Sequence, residues 1–256
     1  MTAPGDLFRV DGKVALVTGA SRGLGAAMAV ALASAGATLV LHASEQPPRA
    51  TEAAIAGVTA SPTALLTGNL ANRLEADGLI PAALAAFGRL DILVNNAGII
   101  TRRPAADQTD EEWDHVIEVD LSAVFRLCRA AGAHMLQRGS GKIINIASLL
   151  AFQGGISVPG YAAAKGGVMQ LTKALANEWA ARGINVNAIA PGYMETDNTE
   201  ALRENATRHQ QITERIPAGR WGRPDDLAGA VIFLASPASD YVHGHLLVVD
   251  GGWLGR

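Results

Sequence analysis

Residues 13–42 read KVALVTGASRGLGAAMAVALASAGATLVLH. Val14 to Val17 form a short apolar run of the kind that makes a buried strand. Gly19, Gly23 and Gly25 follow, then an Ala/Leu/Met stretch of helical composition, then a second apolar run ending at His42. Strand, glycine turn and helix start, in that order, make an anion site. Free backbone N–H groups and the positive end of the helix dipole meet there and suit a pyrophosphate. Glycine is needed where backbone approaches phosphate and where helix packs closely on strand. The spacing is G-x-x-x-G-x-G, not G-x-G-x-x-G. A glycine trio alone is often only a turn. At the first strand–helix junction of an alternating chain it points to a dinucleotide.

The rest of the chain does alternate. Apolar runs predict strands at 13–18, 37–42, 63–67, 90–95, 142–148, 184–190 and 245–250. Helical patterns lie near 24–35, 49–56, 72–87, 111–137, 159–181 and 224–235. Such alternation predicts an α/β fold, a doubly wound parallel sheet of seven strands with helices on both faces. No repeat or linker divides it, so residues 1–256 are expected to form one domain. The polar stretch near 193–220 breaks the alternation after a strand end. It reads either as a solvated helix pair or as a substrate lid at the carboxyl end of the sheet, where open α/β folds bind ligands.

Composition narrows the function. With 49% hydrophobic and 18% charged residues the chain can bury a large core. A net charge of −3 leaves no basic footprint for nucleic acid. No apolar run reaches the roughly 18 residues of a membrane span, and MTAPGDLFRVDG lacks a signal-peptide pattern. A cytoplasmic location is expected. Cys128 is the single cysteine, which excludes an intrachain disulfide and a cysteine metal site. No metal is expected.

The chemistry is carried by GKIINIASLLAFQGGISVPGYAAAKGGVMQLTKALANEWA, residues 141–180. Tyr161 and Lys165 are four apart in a helical stretch and share a face, with Cβ atoms about 5–6 Å apart. An ammonium so close favours a phenolate. Ser148 ends the apolar run KIINIAS. A hydroxyl at a strand end, facing a phenol across a cleft, can hold a carbonyl or carbinol oxygen between them. A lone Y-x-x-x-K is weak; its pairing with the glycine turn is not.

Together TGASRGLG, NNAG at 95–98, Ser148 with Tyr161 and Lys165, and PGYMET at 191–196 resemble the short-chain dehydrogenase/reductase family, in family order from about Gly12 onward. The resemblance implies hydride transfer with NAD or NADP. It places Gly19, Ser21, Arg22, Gly23, Leu24 and Gly25 on the pyrophosphate side. Ser44, Asn69 and Leu70 would border the adenosine. Asn95, Ala97 and Gly98 would border its ribose, and Pro191, Gly192, Met194 and Thr196 would frame the nicotinamide and pyrophosphate. Tyr161 and Lys165 serve the cofactor as well as catalysis. The strand-end residue that selects the cofactor is neither acidic nor basic here: Ala43 and Ser44 stand where an Asp or an Arg is usual. Arg22 favours the extra phosphate of NADP, Glu45 leans weakly the other way, and the choice stays open. Within WDHVIEVDLSAVF, Asp120 holds the place of the family's relay Asn. A carboxylate only accepts hydrogen bonds, whereas an amide does both. Asp120 is therefore expected as a modified fourth member of the catalytic group.

The blocks FQGG, ANEWA, PGYMETDN and IPAGRWG resemble the family's sugar-acid dehydrogenases, which act on small polyhydroxylated acids of the deoxygluconate type and typically use NAD. Such a substrate needs a cation for its carboxylate. Arg102 and Arg103 are candidates, with Gln153 and Tyr193 for hydroxyls. The alternatives are a broader carbonyl reductase such as a 3-oxoacyl reductase, and a non-catalytic dinucleotide sensor. The family also implies a homotetramer. Trp253, after the Gly-Gly turn of HLLVVDGGWLGR, is expected to lack neighbours in its own chain and to be covered by another subunit.

Overall fold

The computed structural model describes residues 4–256. Its strands are β1 Val14–Val17, β2 Thr38–Ala43, β3 Thr63–Thr67, β4 Ile92–Asn95, β5 Gly141–Ile146, β6 Ile184–Pro191 and β7 Leu246–Val249. All pair parallel in one sheet of order β3-β2-β1-β4-β5-β6-β7. The order reverses between β1 and β4, the switch point where open α/β sheets leave a crevice. The helices are α1 Gly23–Ser34, α2 Arg49–Ala56, α3 Arg73–Phe87, α4 Asp110–Ile117, α5 Ala123–Arg138, α6 Pro159–Trp179, α7 Glu200–Glu204, α8 Ala206–Arg215 and α9 Ala228–Ala235.

Strand residues alternate between two buried faces, as a two-residue period requires. Val14 and Leu16 join the core under α3, α5 and α6. Ala15 and Val17 join the core under α1 and α9. Both faces are covered, which is why the strands read as continuous apolar runs. Among the described residues no helix is long and apolar enough to cross a membrane.

The pattern at 111–137, expected as one helix, is α4 and α5 joined by a π-helical turn at Glu118–Ser122. The apolar period runs through the turn, so the sequence shows no break. α4 starts on a capping box: Thr109 Oγ1 accepts from Glu112 N, and Glu112 accepts from Thr109 N. The 224–235 pattern likewise divides into a 3₁₀ turn at Pro224–Leu227 and α9.

α5 and α6 touch through Gly132, where an added Cβ would lie 2.6 Å from the Trp179 ring. Gly132→Val should therefore overpack this contact and cost about 2 kcal/mol. Denaturant unfolding checks this; an unchanged midpoint would mean that the contact can relax freely.

Candidate active site

The glycine turn is shaped by close approach. Gly19 and Gly23 have φ of 63° and 56°, the left-handed region. A Cβ on Gly25 would sit 2.2 Å from the Gly19 carbonyl oxygen. No side chain caps α1, so the first-turn amides face the cleft uncapped. Asn96 holds the turn from β4: its Nδ2 donates to the carbonyls of Thr18 and Gly19 at 2.9 and 3.0 Å. Thr18 Oγ1 accepts from the backbone N–H of Asn96 and Ala97. These features fit a pyrophosphate: bare backbone, a helix start and no side chain in the way.

The cleft above this turn is lined by Gly19, Ser21, Arg22, Gly23, Leu24, Gly25, Ala97, Gly98, Pro191, Gly192, Met194 and Thr196, all expected from the sequence. It is also lined by Asn96, Ile146, Ala147, Asp197, Asn198 and Thr199, which were not expected. Four expected residues lie outside that lining. The Asn95 side chain turns into the core and donates to Asn145 Oδ1 at 2.9 Å and to Cys128 Sγ at 3.2 Å. Successive strand residues face opposite ways, so Asn96 takes the cleft side. Leu70 is packed in the core beneath α3. The Asn69 amide oxygen accepts from Ala71 N at 2.9 Å, and Ser44 is exposed beyond β2. Arg22 pairs across the cleft mouth with Asp197 at 2.9 Å.

Ser148 follows the end of β5 and caps a short 3₁₀ turn, its Oγ accepting from Leu150 N at 3.2 Å. Its own hydroxyl hydrogen stays available to donate. Tyr161 and Lys165 lie on the first turns of α6, with Lys165 Nζ 5.4 Å from the centre of the Tyr161 ring. Lys165 is buried and donates to the Ile146 carbonyl at 3.0 Å.

Asp120 sits in the π-helical turn with no exposed surface. Its Oδ2 pairs with Lys165 Nζ at 3.3 Å, and its Oδ1 accepts from Ile99 N at 2.8 Å. Burial pushes the Asp120 carboxyl above its ordinary range, against the pull of Lys165 and the Ile99 N–H. Burial alone would lower the Lys165 ammonium; the charges of Asp120 and Tyr161 outweigh it, and the net direction is up. The carboxylate at this position thus contacts the lysine directly.

A second cavity of about 470 Å³ opens on the other side of Ser148 and Tyr161, which line both spaces. Arg102, Gln153 and Tyr193 line it, as expected. Arg103 does not. It is paired with Glu112 at 2.8 Å on α4, so its charge is already satisfied. α8 adds Arg208, Gln211, Ile212 and Arg215, which the sequence reading passed over. Their i, i+3, i+4, i+7 spacing is one helix face and could have been read as such. Trp253 overturns the expectation made for it. It is 4% exposed within its own chain, packs on Tyr193 with ring centres 4.6 Å apart, and donates from Nε1 to Gln153 Oε1 at 3.3 Å. Among the described residues no cluster of His, Cys, Asp and Glu could hold a metal ion.

The profile of the family described as Enoyl-(Acyl carrier protein) reductase matches residues 19–254. A 2-dehydro-3-deoxy-D-gluconate 5-dehydrogenase of Bacillus subtilis is 50% identical over 253 residues, covering 98% of both chains. A solved structure from Agrobacterium tumefaciens, assigned as a 2-deoxy-d-gluconate 3-dehydrogenase with NADP bound, is 53% identical with a TM-score of 0.91, covering 98% of this chain and 99% of its own. A gluconate 5-dehydrogenase from Burkholderia cenocepacia, solved with NADP and tartrate, is 39% identical with a TM-score of 0.92, covering 99% and 100%.

The Asp120–Lys165 contact generates a pH prediction. Asp120→Asn keeps an acceptor for Ile99 N but removes the larger of the two charges that raise Lys165. Burial then drives the lysine downward, and its ammonium is lost at lower pH than in the wild type. The alkaline limb of the pH–rate profile should move to lower pH, while the rate near neutrality and cofactor binding persist. An unmoved limb would show that Asp120 does not set the lysine's charge.

Proposed function

The chain belongs to the short-chain dehydrogenase/reductase family, and on that premise we propose that it interconverts a secondary alcohol and a ketone on a small sugar acid. The substrate that the relatives favour is 2-dehydro-3-deoxy-D-gluconate, at its C5 hydroxyl. One observation carries the reading: Ser148 and Tyr161 form the wall between a dinucleotide-shaped cleft and a cavity holding three arginines and no acidic residue. The arginines favour an acid over a fatty acyl chain. Residues 193–220 act as the lid of this cavity through α8, within a single catalytic domain.

The residues divide the work. Ser148 donates to the substrate oxygen and stabilises charge developing there. In the oxidising direction Tyr161 takes the hydroxyl proton; in the reducing direction it returns one. Lys165 sets its ammonium beside the Tyr161 ring, where Asp120 and the Ile146 carbonyl hold it in place. Gly19 to Gly25, Ala97, Gly98 and the 191–196 segment would hold the nicotinamide dinucleotide, which would supply the hydride acceptor or donor. NAD serves, and NADP is accepted: Ala43 offers no carboxylate to repel a 2′-phosphate, and Arg22, now on Asp197, is exposed enough to turn to it. The protein works as a cytoplasmic homotetramer. Trp113 and Phe125, 39% and 42% exposed on α4 and α5, are candidate interface residues; Trp253, satisfied within its own chain, no longer supports assembly.

A turnover screen of sugar acids with NAD and NADP, followed by the absorbance of the reduced nicotinamide, tests the proposal. No turnover of any acid with either cofactor would end it. Tyr161→Phe should lower kcat by about 10²-fold or more and leave cofactor binding intact by titration calorimetry. Ala43→Asp should raise the NAD-over-NADP ratio of kcat/KM through repulsion of the 2′-phosphate. A wild type that already rejects NAD would contradict the cofactor assignment. Sedimentation at micromolar concentration should give a mass well above the single-chain 26.5 kDa.

A further inference from the structure

We propose that Arg215, held over the Trp253 ring, is the residue that binds the substrate carboxylate and sets the preference for an acid. The inference rests on the sugar-acid reading above. The cavity beyond Ser148 and Tyr161 is lined by Arg102, Arg208 and Arg215 and by no acidic side chain. Positive charge left uncompensated in a substrate cavity calls for an anionic ligand. The three cations are not equivalent. Arg102 is committed to the lid backbone, its Nη2 donating to the Asn198 carbonyl at 2.8 Å. Arg208 donates to the neighbouring Gln211 side chain at 2.9 Å. Arg215 has neither a carboxylate partner nor a hydrogen-bond acceptor for its guanidinium among the described residues. Its guanidinium carbon lies 3.9 Å from the centre of a Trp253 ring.

Stacking decides what such a group can do. A guanidinium on an aromatic face keeps its edge N–H groups free and loses rotamer freedom in advance. The free edge matches a carboxylate with two parallel hydrogen bonds, and the entropy of ordering the side chain is already spent before substrate arrives.

The platform is itself built. Gly251 and Gly252 take φ of 65° and 93°, and a Cβ on Gly252 would lie 3.0 Å from the Pro217 ring, so the chain turns back tightly after β7. Asp250 secures the turn by accepting from Gly252 N and Leu254 N, both at 2.8 Å. Tyr193 and Gln153 fix the indole from the cavity side. Arg256 Nη1 donates to the Glu214 carbonyl at 3.0 Å, which ties the terminus to α8. The C-terminus and the lid helix thus present one oriented cation to the cavity that Ser148 and Tyr161 face. Trp253 is a positioning residue in this scheme.

The test compares the acid turned over by the wild type with its primary amide, which keeps the hydroxyl pattern and loses the charge. In the wild type, kcat/KM should favour the acid. Arg215→Gln should raise KM for the acid by about 10- to 100-fold, change kcat by no more than a few-fold, and leave the amide unaffected. Arg215→Lys should restore part of the preference. Trp253→Ala should raise KM for the acid and Trp253→Phe should rescue it, because a ring is restored. An acid-to-amide ratio unchanged in Arg215→Gln overturns the assignment, as does a ratio that collapses in Arg208→Gln instead. An enzyme that turns over neutral polyols and no sugar acid removes the functional reading, and this proposal with it.

Discussion

The buried pair Lys165–Asp120 is the contact on which the catalytic end of the sheet depends. Neither side chain has more than 5% of its surface exposed. Charges so buried must be paired, and removing one partner of such a pair costs about 3–5 kcal/mol. Here the pair is also a junction. Asp120 takes the Ile99 N–H from the loop after β4, and Lys165 reaches the Ile146 carbonyl at the end of β5. The π-helical turn makes the junction possible: it places Asp120 where an added Cβ on Gly98 would come within 3.0 Å of the carboxylate. Four chain segments are thereby fixed within reach of Tyr161, one turn away on α6.

The sheet supplies the frame for that junction. Because every strand runs the same way, the glycine turn, the 95–98 loop, Ser148 and Pro191 all leave from one edge. The central strands are locked by a polar chain through the core, from Asn95 to Asn145 and on to Thr172 of α6 at 3.0 Å. A buried amide with its partners in place permits one register, since a slip would strand it without them. The same chain encloses Cys128, whose thiol burial pushes up to about 12, so it serves as packing.

The parts legible in the sequence are those with a strict local period or a backbone requirement. Strands buried on both faces give unbroken apolar runs, and the glycine turn needs residues without Cβ; both were visible. What escaped depends on direction or on distant partners. Asn95 and Asn96 are adjacent and alike, and only the pleat decides which faces the cleft. The π-helical turn leaves the apolar period of 111–137 intact. Arg103 resembled a free cation until Glu112 was brought against it by the start of α4. Trp253 resembled an orphan because Tyr193 and Gln153, its partners, are 60 and 100 residues earlier in the chain. The face of α8 was readable in its spacing, but a polar helix has solvent as its simpler explanation until a cavity is found beneath it.

The two sides of the Ser148–Tyr161 wall are made of different material, and that difference has a functional consequence. On the dinucleotide side several lining positions are glycines with no room for a side chain: a Cβ on Gly25 would lie 2.2 Å from the Gly19 carbonyl oxygen and one on Gly192 2.6 Å from Asp250 Cα. Recognition by backbone is tied to the fold itself and tolerates little change. On the other side the lining is side chains from late segments, Tyr193, α8 and the terminus, held by stacking and single hydrogen bonds. The exposed ones among them, Arg208, Gln211 and Arg215, can be exchanged without disturbing the sheet, whereas Ile212 and Trp253 share a buried cluster with Leu149 and Val248. Asp250 belongs to both regions, since its backbone closes on Gly192 while its carboxylate secures the turn that carries Trp253. On the reading proposed above, the wall and the backbone cleft set the reaction and the layer of late segments sets the substrate, and Asp250 joins the two.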